Sequence, residues 1–535
     1  MTAQPLEKPW TRVWPKNIPK SIAYPDVTLG ELLHDAAVKS PDAPAIYFSE
    51  IEMNFRELDK LSGCFASALQ GLGVGKSDRV AIYLPNLPEF VVAYYGTLRM
   101  GGVVVAVSPL YKARELSEIL GDSGATVIVC GNNLLPFVEA VKEKANVKFT
   151  ISTGSEATPA VIDLKTLLER YSQTPKPVEL DARKDLALLQ YTGGTTGTPK
   201  GAMLTHYNLI ANAAQFSTWL NMSRGGEAHV SILPFFHIYG MTVAMNVPIY
   251  TASPMILIPD PRNTDAVLQA VDTHRPTVFC GVPSTYIALI NHPNIKQHNL
   301  RSIRVCVSGA SPLPLQVQKQ FEALTGGRLV EGYGLTEASP VTHVNPLDEP
   351  SKNRPGTIGI PISDTDAMIV DLETGARQLP AGEVGELVVQ GPQIMVGYWN
   401  NAKETKNALR NGWIYTGDTA VMEVDGYFRI VDRKKDMINV SGFKVWPREV
   451  EEVLYEHPAV KEATAVPIPD ETTGEAVKAY VVLKEKYRGQ VSTSELAEFC
   501  REEIAAYKLP KLIEFRDTLP KSSVGKILRK ELRTA

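Results

Sequence analysis

Residues 190–209 read QYTGGTTGTPKGAMLTHYNL, and no other stretch of the chain says as much about its fold. Four glycines and five threonines crowd around one lysine and one proline. The stretch follows an apolar run, LALLQ at 186–190, and precedes a helix-like segment, HYNLIANAAQFSTWL, from His206. Glycines let backbone amides turn toward an anion, hydroxyls add donors and a lysine adds charge. Strand, glycine loop, helix is therefore a geometry suited to phosphate. A P-loop is excluded, because that pattern needs Gly, four residues, then Gly-Lys-Ser/Thr. Here Gly197 is followed by Thr198-Pro199-Lys200-Gly201. The plain alternative, a flexible glycine turn, rarely gathers so many hydroxyls and a lysine.

Short β-branched runs surround this loop: RVAIYLP (79–85), VVVAVSP (103–109), ATVIVC (125–130), PMILIPD (254–260), TVFCGVP (277–283) and IRVCVSG (303–309). Longer segments with helical spacing, such as FVEAVKEKA at 137–145, lie between them. Strands alternating with helices predict parallel sheets covered on both faces. From about 356 to 430 the pattern shifts to short strands with Gly-Glu and Asp-Gly turns, which predicts a small, mostly β region. The last hundred or so residues read as a separate α+β unit, with strands EATAVPIP, KAYVVLK and LIEFRDTL around the helix STSELAEFCREEIAAYK. Serine and threonine before that helix, with Glu495 following, predict a capped start.

The chain has 535 residues, too many for one core, so two or three domains are expected. The charged step VDRKKDM at 431–437 sets the expected boundary: residues 1–433, then 434–535. A formal net charge of −4 argues against a dedicated nucleic-acid binder. Five scattered cysteines with no metal-ligand spacing read as reduced thiols, and the first twenty residues lack the apolar centre of a signal peptide. The longest apolar stretch, 90–107, carries Arg99 and Gly101-Gly102, which a membrane-spanning helix rarely tolerates. A cytoplasmic protein without transmembrane segments is expected; peripheral membrane contact and a homodimer are both compatible with the sequence.

Four further segments matter: VEGYGLTEASP (330–340), GWIYTGDTA (412–420), DRKKDMINVSGFKVWPREVE (432–451) and LPKSSVGKILRKELR (519–533). Together with the glycine–threonine loop, and in this order, they resemble the adenylate-forming superfamily of acyl-CoA synthetases, aryl-CoA ligases, peptide-synthetase adenylation domains and firefly luciferase. The resemblance runs from about residue 28 onward. It implies an α/β fold with a large N-terminal domain of helix-covered sheets, a small β-barrel-like subdomain and a small mobile α+β C-terminal domain. It also implies the chemistry: a carboxylate attacks the α-phosphate of ATP to give an acyl-adenylate and pyrophosphate, and a thiol then displaces AMP. Both steps bring negative charges together, so the site must supply positive charge and oriented donors.

Roles follow from the resemblance, residue by residue. Thr192, Gly193, Gly194, Thr195, Thr196 and Gly197 would wrap the β- and γ-phosphates, with Lys200 adding charge. Glu337 would hold Mg²⁺, with Thr192 a second candidate ligand, and Thr336 would donate to the α-phosphate. Tyr333 would lie against the adenine, with Gly309, Ala310, Glu331, Gly332 and Gly334 shaping the same nucleotide pocket. Asp418 would accept from the ribose hydroxyls with help from Arg433; otherwise the two are an ordinary surface ion pair. Lys526, after Gly525, would bridge carboxylate and α-phosphate oxygens during adenylation, although Lys521, Arg529 and Lys530 lie close by. Lys435 would be the hinge between the orientations of the small domain used in the two half-reactions. Ser441, Gly442, Phe443 and Lys444 would line the entry of the thiol.

PFFHIYG at 234–240 resembles one wall of the acyl pocket, with His237 near the carboxylate and Tyr239 deeper. Apolar Ile238, Met241, Val243 and Met245 fit an uncharged tail, and no acid is present to hold an amino group. With no carrier motif after Lys526, free coenzyme A is the expected acceptor. The nearest pattern is that of bacterial and archaeal fatty acid–CoA ligases. Plant aryl-CoA ligases and luciferases usually carry lysine at Asn439 and glutamine at Lys444. The expectation is an AMP-forming synthetase for medium- to long-chain fatty acids, using Mg²⁺, ATP and CoA. Its rivals are a short hydroxy- or aryl-acid ligase and a non-catalytic binding protein of the same fold.

Overall fold

The computed structural model describes residues 8–154, 158, 160–192, 199–347, 349–433, 436–441, 443–470, 472–522 and 527–533. The chain divides into two compact units, one of residues 1–366 and 389–414, the other of 367–388 and 415–535.

Among the described residues of the first unit, eight strands form a central sheet. Their order is Gly397–Tyr398, Lys200–Thr205, Leu186–Thr192, Val103–Ala106, Arg79–Tyr83, Val127–Gly131, Phe149–Thr153 and Ile162–Asp163. The last six run parallel to one another. Their middle members are buried along their whole length, as near-continuous Val/Ile runs require. Leu116, Ile119, Leu120 and Val138 pack from helices onto Ile128, Val105 and Leu189. Fully burying each such side chain contributes about 1.5–3 kcal/mol. FVEAVKEKA is helical only over Leu135–Glu139, and turns carry the rest.

Two smaller four-stranded sheets complete this unit: His229–Ser231, Met255–Leu257, Pro44–Phe48 and Ile51–Asn54; and Val305–Ser308, Arg328–Gly334, Val341–Val344 and Ile360–Pro361. TVFCGVP, expected as a strand, makes single bridges at Val278 to His229 and Val305, and so joins these sheets without lengthening either. The helix His206–Trp219 is buried nearly all round. Its polar side chains are matched: Asn208 donates to Pro392 O at 2.8 Å, Asn212 exchanges two bonds with Val341, and Gln215 donates to Ser363 O at 2.8 Å. A polar stripe inside a core is tolerated only when so satisfied.

In the second unit, Val460–Asp470 pairs antiparallel with Gly474–Leu483, and Leu512–Phe515 adds in parallel. Ser492 caps the helix Thr493–Glu503 by accepting from the Glu495 amide at 3.1 Å, the capped start expected from sequence. The expected boundary at 433/434 falls inside this unit. Residues 415–433 cluster with the C-terminal part because Val421, Val431 and Trp446 share a small core. In addition, Arg448 donates to Ile430 O at 2.8 Å. Helix-covered sheets, a small sheet and an α+β C-terminal part are the architecture the sequence led us to expect.

Candidate functional site

Leu186–Thr192 and Lys200–Thr205 form an antiparallel hairpin, with Tyr191 opposite Gly201 and Thr192 opposite Lys200. The strand–loop–helix expectation is therefore corrected: a second strand lies between loop and helix. The run KGAMLT pairs back along Leu186–Thr192, so the helix begins only at His206, capped by the Thr205 hydroxyl. Gly193, Gly194, Thr195, Thr196 and Gly197 lie outside the described residues. Lys200 pairs with Glu404, whose carboxyl that ammonium holds below its usual range. The same ammonium sits 5.5 Å from the centre of the Tyr398 ring.

Arg328–Gly334 carries the next group of residues and pairs antiparallel with Val341–Val344, placing Tyr333 opposite His343. Their rings meet edge to face at 6.0 Å. Glycine is demanded at 334, where a Cβ would lie 2.2 Å from Pro340 O, and at 332, where it would lie 2.9 Å from Val307. The Glu331 carboxylate is buried and accepts from the Leu313 amide at 3.1 Å, so it shapes the turn after Gly309 and Ala310. Thr336 and Glu337 occupy the one-turn 3₁₀ segment Thr336–Ala338. Glu337 accepts from the Tyr398 phenol at 2.6 Å, and its backbone carbonyl accepts from Met395 N at 2.8 Å.

His237 precedes a short helix, and its Nδ1 accepts from the Tyr239 amide at 3.2 Å. Tyr239 is buried, its hydroxyl donating to Val307 O at 2.9 Å. A Cβ on Gly309 would lie 3.1 Å from the Tyr239 ring, so the absent side chain at 309 makes room for that ring. Burial pushes the Tyr239 phenol far up. The structure thus brings His237, Tyr239 and Gly309 into one neighbourhood, and Phe235, Phe236 and Met241, close by in the chain, are buried.

The second unit holds the remaining candidates. Asp418 and Arg433 face each other across two antiparallel strands, with Nε and Oδ1 3.4 Å apart. Asp418 N donates to the Thr416 hydroxyl at 3.1 Å, and Gly417 N to Glu386 at 3.1 Å. Ser441 has a positive φ of 51° and heads the turn between Ile438–Val440 and Phe443–Val445. Phe443 and Lys444 are exposed, and the Phe443 ring stacks on Tyr507 at 4.9 Å. Lys435, Gly442 and Lys526 lie outside the described residues.

Sequence reasoning missed Tyr398 and Glu404. Both come from GYWNNAKET at 397–405, which matches none of the segments singled out in the sequence. It also missed Arg529, which bonds Asp432 at 2.6 Å, Glu451 at 2.7 Å and Asp436 at 3.4 Å. These partners sit dozens of residues away, beyond the reach of local patterns.

A two-part arrangement with these segments in this order defines an adenylate-forming enzyme. The model of the AMP-binding enzyme family matches residues 33–399, and that of the AMP-binding enzyme C-terminal domain matches 449–526. The chain belongs to this family. A long-chain-fatty-acid–CoA ligase of Bacillus subtilis is 42% identical over 557 residues, covering 98% of both chains. The crystal structure of an anthranilate CoA ligase in complex with anthranoyl-AMP superimposes with a TM-score of 0.87 at 28% identity, over 96% of this chain and 97% of that one. A long-chain-fatty-acid–CoA ligase from Archaeoglobus fulgidus matches with a TM-score of 0.72 at 29% identity, over 94% and 99%.

Proposed function

We propose that this protein is an AMP-forming acyl-CoA synthetase that activates medium- to long-chain fatty acids with ATP and passes the acyl group to coenzyme A. The observation that carries the substrate class is the 42% identity, over nearly the whole of both chains, to a relative named long-chain-fatty-acid–CoA ligase. The buried apolar residues around His237 in the chain, Phe235, Phe236, Ile238 and Met241, support it, since a fatty tail needs burial without hydrogen-bonding partners.

The donor set fits magnesium arriving with ATP. Among the described residues no group of three His, Cys, Asp or Glu is able to hold a metal ion unaided. Glu337, however, offers a carboxylate with one position taken by a phenol and others left over. Mg²⁺ prefers one or two carboxylates, waters and substrate phosphates to an all-protein cage. When bound, it would neutralise phosphate charge as two anions approach. Thr192 stands at the mouth of the glycine–threonine loop as the further candidate ligand.

The chain's own residues supply the rest. Backbone amides and hydroxyls of 193–197 hold the β- and γ-phosphates, and Lys200 exchanges Glu404 for phosphate oxygens. Thr336 donates to the α-phosphate, and Tyr333 packs against the base in a pocket shaped by Gly309, Ala310, Glu331, Gly332 and Gly334. Asp418, with Arg433 beside it, accepts from the ribose hydroxyls. His237 orients the acid's carboxylate, with Tyr239 deeper. Lys526 brings a compact ammonium to the oxygens on which charge gathers. Rotation about Lys435 then presents Ser441, Gly442, Phe443 and Lys444 to the thiol. No helix among the described residues is long and apolar enough to cross a membrane; the working compartment is the cytoplasm, with peripheral contact where long-chain acids partition.

The test is turnover of acetate through palmitate, with hydroxybutyrate, coumarate and amino acids as comparators, each with and without CoA. AMP, pyrophosphate and a CoA thioester peaking at about eight carbons or more support the proposal. A peak at short hydroxy or aryl acids keeps the mechanism and replaces the substrate. Silence across the panel contradicts both.

A further inference from the structure

The side chain assigned to the metal does not stand alone. Glu337 lies on a turn of three residues, too short to fix a flexible carboxylate by its own packing. The segment from Met395 to Trp399 holds it from one side at two points, through the Met395 amide on its carbonyl and the Tyr398 phenol on its Oε1. That segment is itself fixed. Gly397 and Tyr398 pair with Met203 and Ala202 in the strand that leaves the glycine–threonine loop. Trp399 N donates to Gly201 O at 2.8 Å, Val396 N to Met203 O at 3.0 Å, and Tyr398 N to the Thr405 hydroxyl at 2.8 Å.

We propose that Tyr398 is a positioning residue for Glu337: a phenol anchored to the loop hairpin that presets the carboxylate for the divalent cation arriving with ATP. The inference rests on the reading of Glu337 as the metal ligand. Its physical basis is the orientation of a ligating oxygen by an outer partner. A carboxylate that already accepts a hydrogen bond from a rigid phenol is held in one orientation toward the cation, with its remaining lone pairs free for it. The Lys200 ammonium lies 5.5 Å from the centre of the Tyr398 ring, so one aromatic side chain meets both the hairpin's cation and the metal ligand. A bare structural role, satisfying a half-buried hydroxyl, would leave metal affinity untouched.

The experiment uses the full chain and Mn²⁺·ATP as probe, without acid or CoA, so that no turnover occurs. Enzyme-bound Mn²⁺ is read by electron paramagnetic resonance, and metal-free ATP binding by calorimetry in chelator. Tyr398→Phe removes only the hydroxyl, and Glu337→Gln sets the scale. The expected result is a loss of Mn²⁺·ATP affinity of roughly 10–100-fold in Tyr398→Phe, the range for outer-shell partners of metal ligands. Metal-free ATP affinity should be unchanged, and Glu337→Gln should lose at least as much. Weakening of both binding modes together in Tyr398→Phe would overturn the inference, since that is the mark of a damaged pocket. If Glu337→Gln weakens metal binding while Tyr398→Phe stays within about twofold of the parent, the positioning role is wrong and the reading of Glu337 survives. If Glu337→Gln binds Mn²⁺·ATP as the parent does, the reading of Glu337 falls and the inference with it.

Discussion

His206 shows how one buried ring writes a pH dependence into this fold. Its Nδ1 accepts from the Leu29 amide at 3.2 Å, and its Nε2 has no partner among the described residues. Burial takes its pKa from 6.5 down to about 4, against a smaller upward pull from Asp185 and Glu31. The helix starting at His206 adds its own positive end, which also disfavours a charged ring. The folded pKa lies below the unfolded one, so the stability from a neutral ring is full above pH 6.5 and is lost as pH falls toward 4. That loss is about 3 kcal/mol over this window. His229 and His343, each pushed by burial to about 3, act in the same direction. Urea midpoints at pH 7 and 4.5 should fall less steeply in His206→Gln than in the parent; equal slopes would refute this reading. Little of it was legible in the sequence, because THYNL shows a histidine but not the amide of Leu29, 177 residues away, that fixes its tautomer. Glu337 and Tyr398 make the same point: the acid stood out within a familiar segment, and its partner 61 residues on did not.

Elements were easier to foresee than their endings. Continuous Val/Ile runs predicted parallel strands, and these form the buried middle of the central sheet. The glycine–threonine loop was recognisable, yet the strand after it was read as the approach to a helix. KGAMLT is short, and pairing back along Leu186–Thr192 makes it a strand. The basic segment near the C-terminus shows the same limit, since four positive side chains looked interchangeable. Arg529 is now distinguished, because its half-buried guanidinium bonds Asp432, Asp436 and Glu451. Removing one partner from such a network leaves buried charge uncompensated. Arg529→Met should destabilise the second unit by about 3–5 kcal/mol, read from the denaturant transition of tryptophan Trp446. A change below about 1 kcal/mol would mean the cluster behaves as an exposed one.

At the scale of the molecule, the order of segments told more than any single one. Five stretches in this order carried the resemblance to the adenylate-forming family, whereas Asp418 and Arg433, expected within the N-terminal domain, fall in the second unit. The grouping of residues 415–433 with the C-terminal part was not foreseen, because the charged step at 431–437 reads as a boundary until Asp432 is seen bonding Arg448 and Arg529. The central claim is that this chain makes an acyl-adenylate before the thiol enters, with Lys526 serving that step alone. The most direct measurement is exchange of labelled pyrophosphate into ATP with palmitate and magnesium but no CoA, in the parent and in Lys526→Ala. The account predicts palmitate-dependent exchange in the parent and a fall of about 100-fold or more in the variant, comparable to losing a strong oxyanion donor. Thioester formation from supplied palmitoyl-adenylate should barely change in that variant. Exchange that requires CoA, or an equal fall in both half-reactions, would contradict it.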